Sequence, residues 1–520
     1  MMKKIVYKLT FIAGLVLMLI SCNQDDFLDK PVYGLIKEED YYKTEQELQE
    51  GVFACYDVLQ WAYAADWNSM YVVKSFPADE THAGGGSDGD QPPYQQLDDY
   101  SFTAENKPIE HCFKAMYFGI MRANTIINIA TGDTPKKIQL IAEAKALRAY
   151  FYFELVSMWG GVPLRLEVPK AGNFAMEKST PEQIYAQIHK DLSEAIPILP
   201  KKSEYAAEMR FRMSKGTAQA INGKAYLYQK KYPESAVAFN DVITSNEYDL
   251  APDYSKIFLK TSEYGLESLF EIGYVTTAGY DWGNFQWGGN RAMENNVNWQ
   301  LMGPRSDYFK SGTSGLNAGW GFNYPTSEMA EAFDDEGDLV RKNASILSVA
   351  DLRSKFGGDW VVDKDLDWTQ APPVWGMDGY FRLKYGSLTA ETGTPVAELN
   401  YGTNVRLIRY ADVLLMAAEA NLLAGNTTDA QSYFTAVRDR VDLPVKTVTL
   451  DAIKTERRLE LAFEGFRFLD LIRWGDAAAV LKNQGFKKNG NFVEKHKLYP
   501  IPAAEVLNNP KMTPNPGWGN

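Results

Sequence analysis

The chain has 520 residues, of which 45% are hydrophobic, and this is enough apolar sequence to bury a large core. Its formal net charge is -13 at pH 7. Nucleic-acid binding depends on Lys and Arg side chains that displace the counterions of phosphates, so this acidic balance argues against a nucleic-acid partner. Aromatic residues make up 13% of the chain, with 12 Trp and 30 Tyr. Such rings serve both cores and binding surfaces, so their positions along the chain matter.

The amino terminus has the pattern of an export signal. Lys3, Lys4 and Lys8 precede an uncharged, mostly apolar run over residues 9–20. This run is shorter than the roughly 20 residues that a membrane-spanning helix needs, but it suits the apolar region of a signal peptide. We therefore predict a cleaved leader over residues 1–21.

A lipid anchor is predicted at the end of this leader. Leu-Ile-Ser-Cys at residues 19–22 resembles a bacterial lipobox, and the following Asn-Gln-Asp-Asp resembles the short acidic signal of surface-exposed lipoproteins in Bacteroidetes. Acyl chains on Cys22 would hold the protein on the outer membrane, because each buried methylene contributes about 0.8 kcal/mol. Cys55 and Cys112 also occur in the mature chain, and we predict two buried thiols, with one optional disulfide left open.

Helical periodicity dominates both flanks of the sequence. Apolar residues recur at steps of three and four, as they do on the buried stripe of an amphipathic helix. This pattern predicts an all-α scaffold with helices over Glu45 to Gln60, Pro108 to Ala130, Ile138 to Trp159, Pro181 to Ile196, Ser214 to Lys230 and Ala411 to Ala424.

Two stretches share a small, small, aromatic spacing of 12 and 16 residues. Their residues are Gly223, Ser235 and Phe239 in the first stretch, and Ala418, Ala430 and Phe434 in the second. In tetratricopeptide repeats, small residues let paired helices approach and a ring fills the gap. The spacing therefore predicts at least two tetratricopeptide-like helix pairs, although the Trp of the usual motif is absent.

The middle of the chain differs in composition. Residues 261–403 hold seven of the 12 Trp and 19 of the 40 Gly, without a helical period. A second Gly- and Pro-rich stretch covers residues 77–106. We predict irregular loops in both and place function there. The mature chain 22–520 is thus predicted to be one body, with a scaffold over about 40–260 and 405–482 and a ligand-binding insertion over about 261–404 between them.

No catalytic constellation is predicted. Residues 85–89 match Gly-x-Ser-x-Gly around Ser87, but the Asp-Gln-Pro-Pro that follows does not suggest the helix of a nucleophile elbow. The carboxylate groups Asp79 with Glu80 and Asp334 to Glu336 are interpreted as solvated acids. The four His residues lack metal-site spacing, so no transition-metal site is predicted. No cofactor is expected, and Ca2+ binding through the oxygens of loop acids is left open, although EF-hand spacing is absent. The charged stretch from Glu456 to Arg473 is interpreted as one ion-paired scaffold helix.

Three segments resemble signatures of the SusD/RagB family of outer-membrane nutrient-binding lipoproteins. They are AEAKALRAYFYFELVSMWGGVPL at residues 142–164, RYADVLLMAAEA at 409–420 and TERRLELAFEGFRFLDLIRWG at 455–475. The ending LYPIP at 498–502 is similar too. The resemblance implies a SusD-like helical superhelix of four tetratricopeptide-like pairs, a glycan- or nutrient-binding face, and a SusC-like TonB-dependent transporter as partner.

The resemblance carries no ligand residues, so these are predicted from chemistry. Sugar rings have apolar faces that stack on aromatic side chains and hydroxyl edges that need polar partners. The loop residues that fit the first demand are Trp67, Tyr94, Trp282, Trp287, Trp299 and Trp320. Those that fit the second are Asp79, Asn284 and Arg291.

The leading interpretation is a non-enzymatic glycan receptor at the cell surface. A tetratricopeptide scaffold for a protein partner, a peptide-binding RagB-like receptor and a lipid-anchored glycosidase remain as alternatives. A scaffold would not need a Trp-rich insertion, and a hydrolase would release reducing sugar from a polysaccharide. The sequence does not name the glycan.

Overall fold

The computed structural model describes residues 41–64, 67–169, 174–285, 294–307, 309–310, 315–356, 359–360 and 375–519. Thr44–Asn520 form one compact unit. The predicted leader, Cys22, Trp287 and Arg291 lie outside the described residues. No helix among the described residues has the length and hydropathy needed to cross a membrane.

The amino-terminal half of the body is helical, as the periodicity predicts. Its helices are α1 (Glu45–Ala64), α2 (Met70–Ser75), α3 (Pro92–Asp99), α4 (Lys107–Ile129), α5 (Pro135–Trp159), α6 (Pro181–Ala195), α7 (Lys215–Tyr228) and α8 (Tyr232–Thr244).

The carboxy-terminal half combines short helices with long ones. They are α9 (Val297–Leu301), α10 (Ser327–Asp335), α11 (Leu339–Ser345), α12 (Val349–Phe356), α13 (Tyr410–Leu423), α14 (Thr427–Asp439), α15 (Leu450–Glu460), α16 (Arg467–Trp474), α17 (Ala477–Val480) and α18 (Ala503–Asn508). The all-α prediction is confirmed, and all six predicted helices are present.

Eight short strands accompany the helices within the described residues. They are β1 (Thr81–Gly84), β2 (Ser268–Ile272), β3 (Phe309–Lys310), β4 (Phe322–Pro325), β5 (Ile346–Ser348), β6 (Asp359–Trp360), β7 (Tyr380–Arg382) and β8 (Val405–Arg409). They form four antiparallel pairs, β1 with β4, β2 with β8, β3 with β6 and β5 with β7. The β1–β4 pair joins the 77–106 stretch to the insertion.

Side-chain caps set the starts of the long helices. The side chain of Asn106 accepts a hydrogen bond from the amide of Ile109 at the start of α4. The side chain of Thr134 likewise accepts a hydrogen bond from the amide of Lys137 at the start of α5. Each cap is followed by a proline within the first two helical positions, where the missing N–H has no helical partner to lose. These starts were therefore readable from the sequence.

The repeated spacing corresponds to tightly packed helix pairs. A Cβ atom on Gly223 of α7 would lie 2.8 Å from the ring of Phe239 on α8, so only glycine admits this ring. The Ser235 hydroxyl donates to the Gly223 carbonyl at 2.8 Å. The second pair, α13 with α14, buries Ala418 and Phe434 completely. The tetratricopeptide-like interpretation is confirmed at both places.

Both stretches predicted as irregular loops contain regular elements. The 77–106 stretch holds β1 and α3, and the insertion holds four short helices and most of the strands. The insertion also has its own apolar cluster, which includes Leu316, Tyr324, Leu347 and Phe381. Both stretches are loop-rich as predicted, and their elements of two to nine residues were not foreseen because they are too short to show a period.

The charged stretch forms two helices rather than one. Between α15 and α16 the chain turns at Phe463 and Gly465, which have positive φ angles of 64° and 79°. Most of its charged side chains do not pair along one helix face. Arg457 instead joins Asp412 of α13 at 2.8 Å and Asp470 of α16 at 2.9 Å, with all three side chains buried.

Buried ion pairs connect the insertion to the scaffold. Arg341 of α11 lies 2.7 Å from Glu456 and 3.0 Å from Glu460 on α15, and these side chains have no exposed surface. Lys384, which follows β7, lies 2.7 Å from Glu464. The insertion is therefore fixed to the scaffold by charge as well as by apolar contact. Elsewhere in the core, Cys55 and Cys112 are buried and free.

Candidate ligand-binding face

Two tryptophan rings lie against each other where the first stretch meets the insertion. Trp67 lies just before α2 and Trp320 lies just before β4. Their ring centroids are 4.9 Å apart at an interplanar angle of 21°, and both side chains are half-buried. Two buried rings support the pair, since Phe322 and Tyr94 lie 6.2 Å and 6.5 Å from the ring of Trp67.

An arginine held by two carboxylates lies beside this Trp pair. Arg305 donates from Nε to Asp307 at 2.9 Å and from Nη1 to Asp90 at 3.1 Å. A longer contact of 3.4 Å joins the same Nη1 to the carbonyl of Trp320. Although burial acts to lower the pKa of Arg305, the hydrogen bond and charge of Asp307 raise it overall. The guanidinium therefore remains charged and is positioned next to the aromatic surface.

A glycine loop brings Asp90 to this arginine. Gly84 ends β1 with a φ of 72°, and a Cβ atom there would lie 2.4 Å from the carbonyl oxygen of Gly321. The amide of Gly85 donates to the same oxygen at 2.6 Å. The loop then turns so that Asp90 accepts a hydrogen bond from the amide of Gly86 at 2.8 Å. Glycine is thus required for the close approach of the loop to β4.

The loop of Trp282 presents a further ring to solvent. The Trp282 side chain is 57% exposed. Asn284 maintains the turn beneath it, because its side-chain oxygen accepts from the amide of Asp281 at 2.7 Å. Of the predicted ligand residues, Trp67, Trp320, Trp282 and Asn284 therefore have accessible surface.

Two predicted ligand residues lie in the core, and a third is held by ion pairs. Trp299 has no exposed surface, stacks on Tyr385 at 4.3 Å and donates its indole N–H to the carbonyl of Thr403 at 3.0 Å. Tyr94 is 1% exposed and supports the Trp pair from below. The Asp79 carboxylate accepts a hydrogen bond from Arg467 Nε at 2.7 Å, and it forms an ion pair with Arg458 at 3.2 Å. Burial acts to raise the pKa of Asp79, but these arginines lower it overall. Burial leaves Trp299 and Tyr94 almost no surface for a ligand, whereas Asp79 is partly exposed but its carboxylate is occupied by the two arginines.

The structure also shows which polar residues the sequence reasoning missed. Arg305, Asp307 and Asp90 become neighbours of the Trp pair only through the pairing of β1 with β4. Local sequence gives no sign of that pairing, because each strand has four residues. Of these contacts, only the pairing of Arg305 with Asp307 joins residues that are close in the sequence.

The Ser87 motif has no catalytic arrangement around it. Contrary to the sequence expectation, β1 precedes the motif and α3 follows it. The Ser87 hydroxyl nevertheless accepts a hydrogen bond from the amide of Gly89 at 3.2 Å, within its own loop. His82, which lies on β1 before the motif, is hydrogen-bonded to Asp378 at 3.1 Å and not to Ser87. Within the described ranges, no group of three or more His, Cys, Asp or Glu side chains is arranged to hold a metal.

Two sequence models of one family match the chain. A model described as the SusD family matches residues 267–518, and a model described as starch-binding, associating with outer membrane, matches residues 26–227. A SusD-like protein of Formosa agariphila is 26% identical over 500 residues, which cover 92% of this chain and 93% of that protein.

Solved structures match over nearly the whole chain. A laminarin-binding SusD-like protein is 32% identical with a TM-score of 0.80, and the match covers 92% of this chain and 100% of that one. A surface glycan-binding protein A from Bacteroides thetaiotaomicron, solved in complex with laminarihexaose, is 28% identical with a TM-score of 0.76, and the match covers 90% of this chain and 99% of that one. With its tetratricopeptide-like scaffold and these matches, the chain belongs to the SusD family.

Proposed function

We propose that this chain is a surface receptor that captures an oligosaccharide and delivers it to a SusC-like TonB-dependent transporter. The observation that carries the proposal is the stacked pair of Trp67 and Trp320 beside Arg305. An indole face stacks on the apolar face of a pyranose ring, and a charged guanidinium donates to its hydroxyl edge. The names of the related proteins, which describe laminarin and glycan binding, support a glycan over a peptide.

We propose further that the protein binds the glycan without cleaving it. The carboxylates considered for hydrolysis are engaged elsewhere: Asp334 with Lys342 at 2.6 Å, and Glu336 with Lys446 at 2.7 Å. A glycosidase needs two carboxyl groups that flank one open site, one of them free to donate a proton. The Trp pair instead has a carboxylate on each side of Arg305, and both accept hydrogen bonds from it.

The proposed organisation follows from the same role. A leader over residues 1–21 is removed, Cys22 carries the lipid, and the body 22–520 lies at the outer surface of the outer membrane. The scaffold over about 40–260 and 405–482 supports the insertion over about 261–404, which supplies Trp320, Trp282 and Arg305 to the ligand.

Calorimetric titration with laminarihexaose tests this function. Stacking contributes on the order of 1 kcal/mol per ring, so we expect a dissociation constant of roughly micromolar to millimolar and a loss of about fivefold for Trp320→Ala. Arg305→Ala is expected to weaken binding similarly. Trp474→Ala, at a half-buried indole on the scaffold, is the matched control and should leave affinity unchanged. The proposal fails if folded Trp320→Ala and Arg305→Ala proteins bind a panel of oligosaccharides as the parent does.

A further inference from the structure

A second concave surface lies on the helical scaffold and shares no residue with the aromatic face. This groove has a cavity volume of about 380 Å³ and runs between α4, the chain after Val162 and the carboxy-terminal helix α18. Its floor is apolar, since Phe113, Ile120 and Met512 are buried beneath it. A concave apolar floor of this size is typical of a site that receives a large side chain or small ligand.

Large apolar side chains on the groove walls are exposed to solvent. Met121 of α4 is 41% exposed and Phe174 is 59% exposed. Leu507, on the helix α18 that bears two lining residues, is 84% exposed. Apolar groups of this size gathered around one groove mark a contact surface, because isolated soluble proteins rarely leave them uncovered together.

The unengaged polar groups of the groove are mainly hydrogen-bond acceptors. The side chains of Glu167, Glu505 and Asn508 make no hydrogen bond or ion pair with the rest of the described chain. The two cations of the lining are already used. Lys114 binds Glu110 at 2.6 Å, and Arg165 donates to the carbonyl of Phe174. An occupant must therefore supply hydrogen-bond donors next to its apolar part.

Other occupants fit this chemistry less well. A second copy of the chain that docked groove to groove would bring Glu167 and Glu505 against the same carboxylates, and like charges in an interface cost free energy. An anionic lipid surface would repel the same two groups. A protein segment with Lys or Arg next to a large apolar side chain satisfies both the floor and the carboxylates, which is the pattern of an anchor residue in a protein interface.

We propose that this groove docks a segment of the TonB-dependent transporter in which a large apolar side chain adjoins Lys or Arg. The inference rests on the proposed function, because it takes the transporter as the partner. It assigns the contact to α4 and α18, which leaves the Trp67–Trp320 face available to the glycan in the assembled complex.

Site-specific crosslinking in the native outer membrane tests the proposal. The full chain carries p-benzoyl-phenylalanine in place of Phe174, and the matched control carries it in place of Val445, which is 75% exposed on the chain between α14 and α15. We expect photoadducts with the transporter at position 174 in an excess of roughly fivefold or more over position 445. Mass spectrometry of these adducts should identify a transporter peptide with Lys or Arg beside an apolar residue.

The outcomes separate this inference from the proposed function. If the unmodified chain retains the transporter on purification but position 174 gives no excess of transporter adducts, or gives adducts with a second copy or with lipid, the groove assignment is wrong and the proposed function stands. If no transporter is retained by the unmodified chain, the partner itself is wrong and the inference falls with it.

A charge reversal provides an independent measurement. The Glu167→Lys/Glu505→Lys double variant should retain roughly tenfold less transporter, because it replaces both acceptors by cations. Its laminarihexaose affinity should equal that of the parent, since neither residue belongs to the aromatic face. Equal retention of transporter by parent and variant would overturn the proposal.

Discussion

The indole rings of Trp67 and Trp320 lie 4.9 Å apart and nearly parallel, so each ring covers one face of the other. The two indoles therefore form one packed surface, in which each ring helps to hold the other in place. Removal of either indole should disturb the same surface, and the two substitutions should not be additive.

A double-mutant cycle measures this coupling. We expect Trp67→Ala and Trp320→Ala each to weaken laminarihexaose binding by about fivefold, and the double variant to lose little more than either single variant. Circular dichroism verifies that all three proteins are folded. If the double variant loses the product of the single effects, the rings act as separate subsites.

Gly84 controls the loop that carries Asp90. Its φ of 72° is unfavourable for a side chain, and an added Cβ would lie 2.4 Å from the carbonyl oxygen of Gly321. We expect Gly84→Ala to cost about 1–3 kcal/mol of unfolding free energy. It should also weaken glycan binding, because Asp90 would shift away from Arg305.

The neighbouring Gly89 is a matched control for this substitution. Its φ lies outside the left-handed region and its nearest contact for a Cβ atom is the Ser87 hydroxyl oxygen at 3.7 Å. Gly89→Ala should therefore leave stability within about 0.5 kcal/mol of the parent. Urea unfolding of both variants gives the comparison, and equal losses would show that the close approach at Gly84 is not the cause.

The scaffold was predictable from the sequence because its information is local. Long apolar periods, side-chain caps and the prolines that follow them define α4 and α5 within a few residues. The contact of Gly223 with Phe239 is likewise encoded by a fixed spacing. Features of this kind need no knowledge of distant parts of the chain.

The ligand face was only partly predictable because it depends on distant contacts. Trp299 and Trp320 look alike in the sequence, yet one stacks on Tyr385 in the core and the other lies at the surface. The neighbour of Trp320 that gives the face its charge, Arg305, is held by Asp90, which lies 215 residues earlier in the chain. Composition locates such a region but does not select its exposed rings.

The buried cation Arg341 should be important for stability. It lies 2.7 Å from Glu456 and 3.0 Å from Glu460, and none of these side chains is exposed. We expect Arg341→Met to cost up to about 3–5 kcal/mol, because it removes the buried cation that contacts Asp338, Glu456 and Glu460 together, although Arg438 still pairs with Glu456 and Arg409 and Arg440 still pair with Glu460. Lys488→Met, which breaks the half-exposed pair with Glu328, should cost less than about 1 kcal/mol. Similar losses in urea unfolding would contradict this ranking.

The proposed lipid anchor makes a separate prediction. Export of the parent should yield a chain that begins with acylated Cys22, whereas Cys22→Ser should release the protein from the membrane fraction. Two or more acyl chains give an essentially stable attachment, so the change in partitioning should be nearly complete. Mass spectrometry of membrane-extracted protein identifies the modified residue. An unmodified Cys22, or unchanged membrane retention of Cys22→Ser, would contradict the anchor.

The carboxyl group of Glu80 should make stability depend on pH. Burial, with a further contribution from the charge of Asp79, raises its pKa from 4.5 to about 8 despite the opposing charge of Arg467. A raised pKa means that the folded state favours the neutral acid. The stabilisation is therefore complete below about pH 4.5 and is lost as the pH rises toward 8.

Replacement of this acid by its neutral amide tests the sign of the effect. Glu80→Gln keeps an oxygen that can accept from the amide of Phe463, as Glu80 does at 3.2 Å. The stability of Glu80→Gln relative to the parent should therefore increase between about pH 5 and pH 8, because only in the parent does the unfolded chain gain an ionised carboxylate that the folded state keeps protonated. Asp98→Asn is the matched control, since burial raises the pKa of Asp98 only to about 6 and its relative gain should level off at lower pH. Urea unfolding at several pH values measures both differences. A constant difference between Glu80→Gln and the parent across this range would show that Glu80 is already ionised in the folded protein.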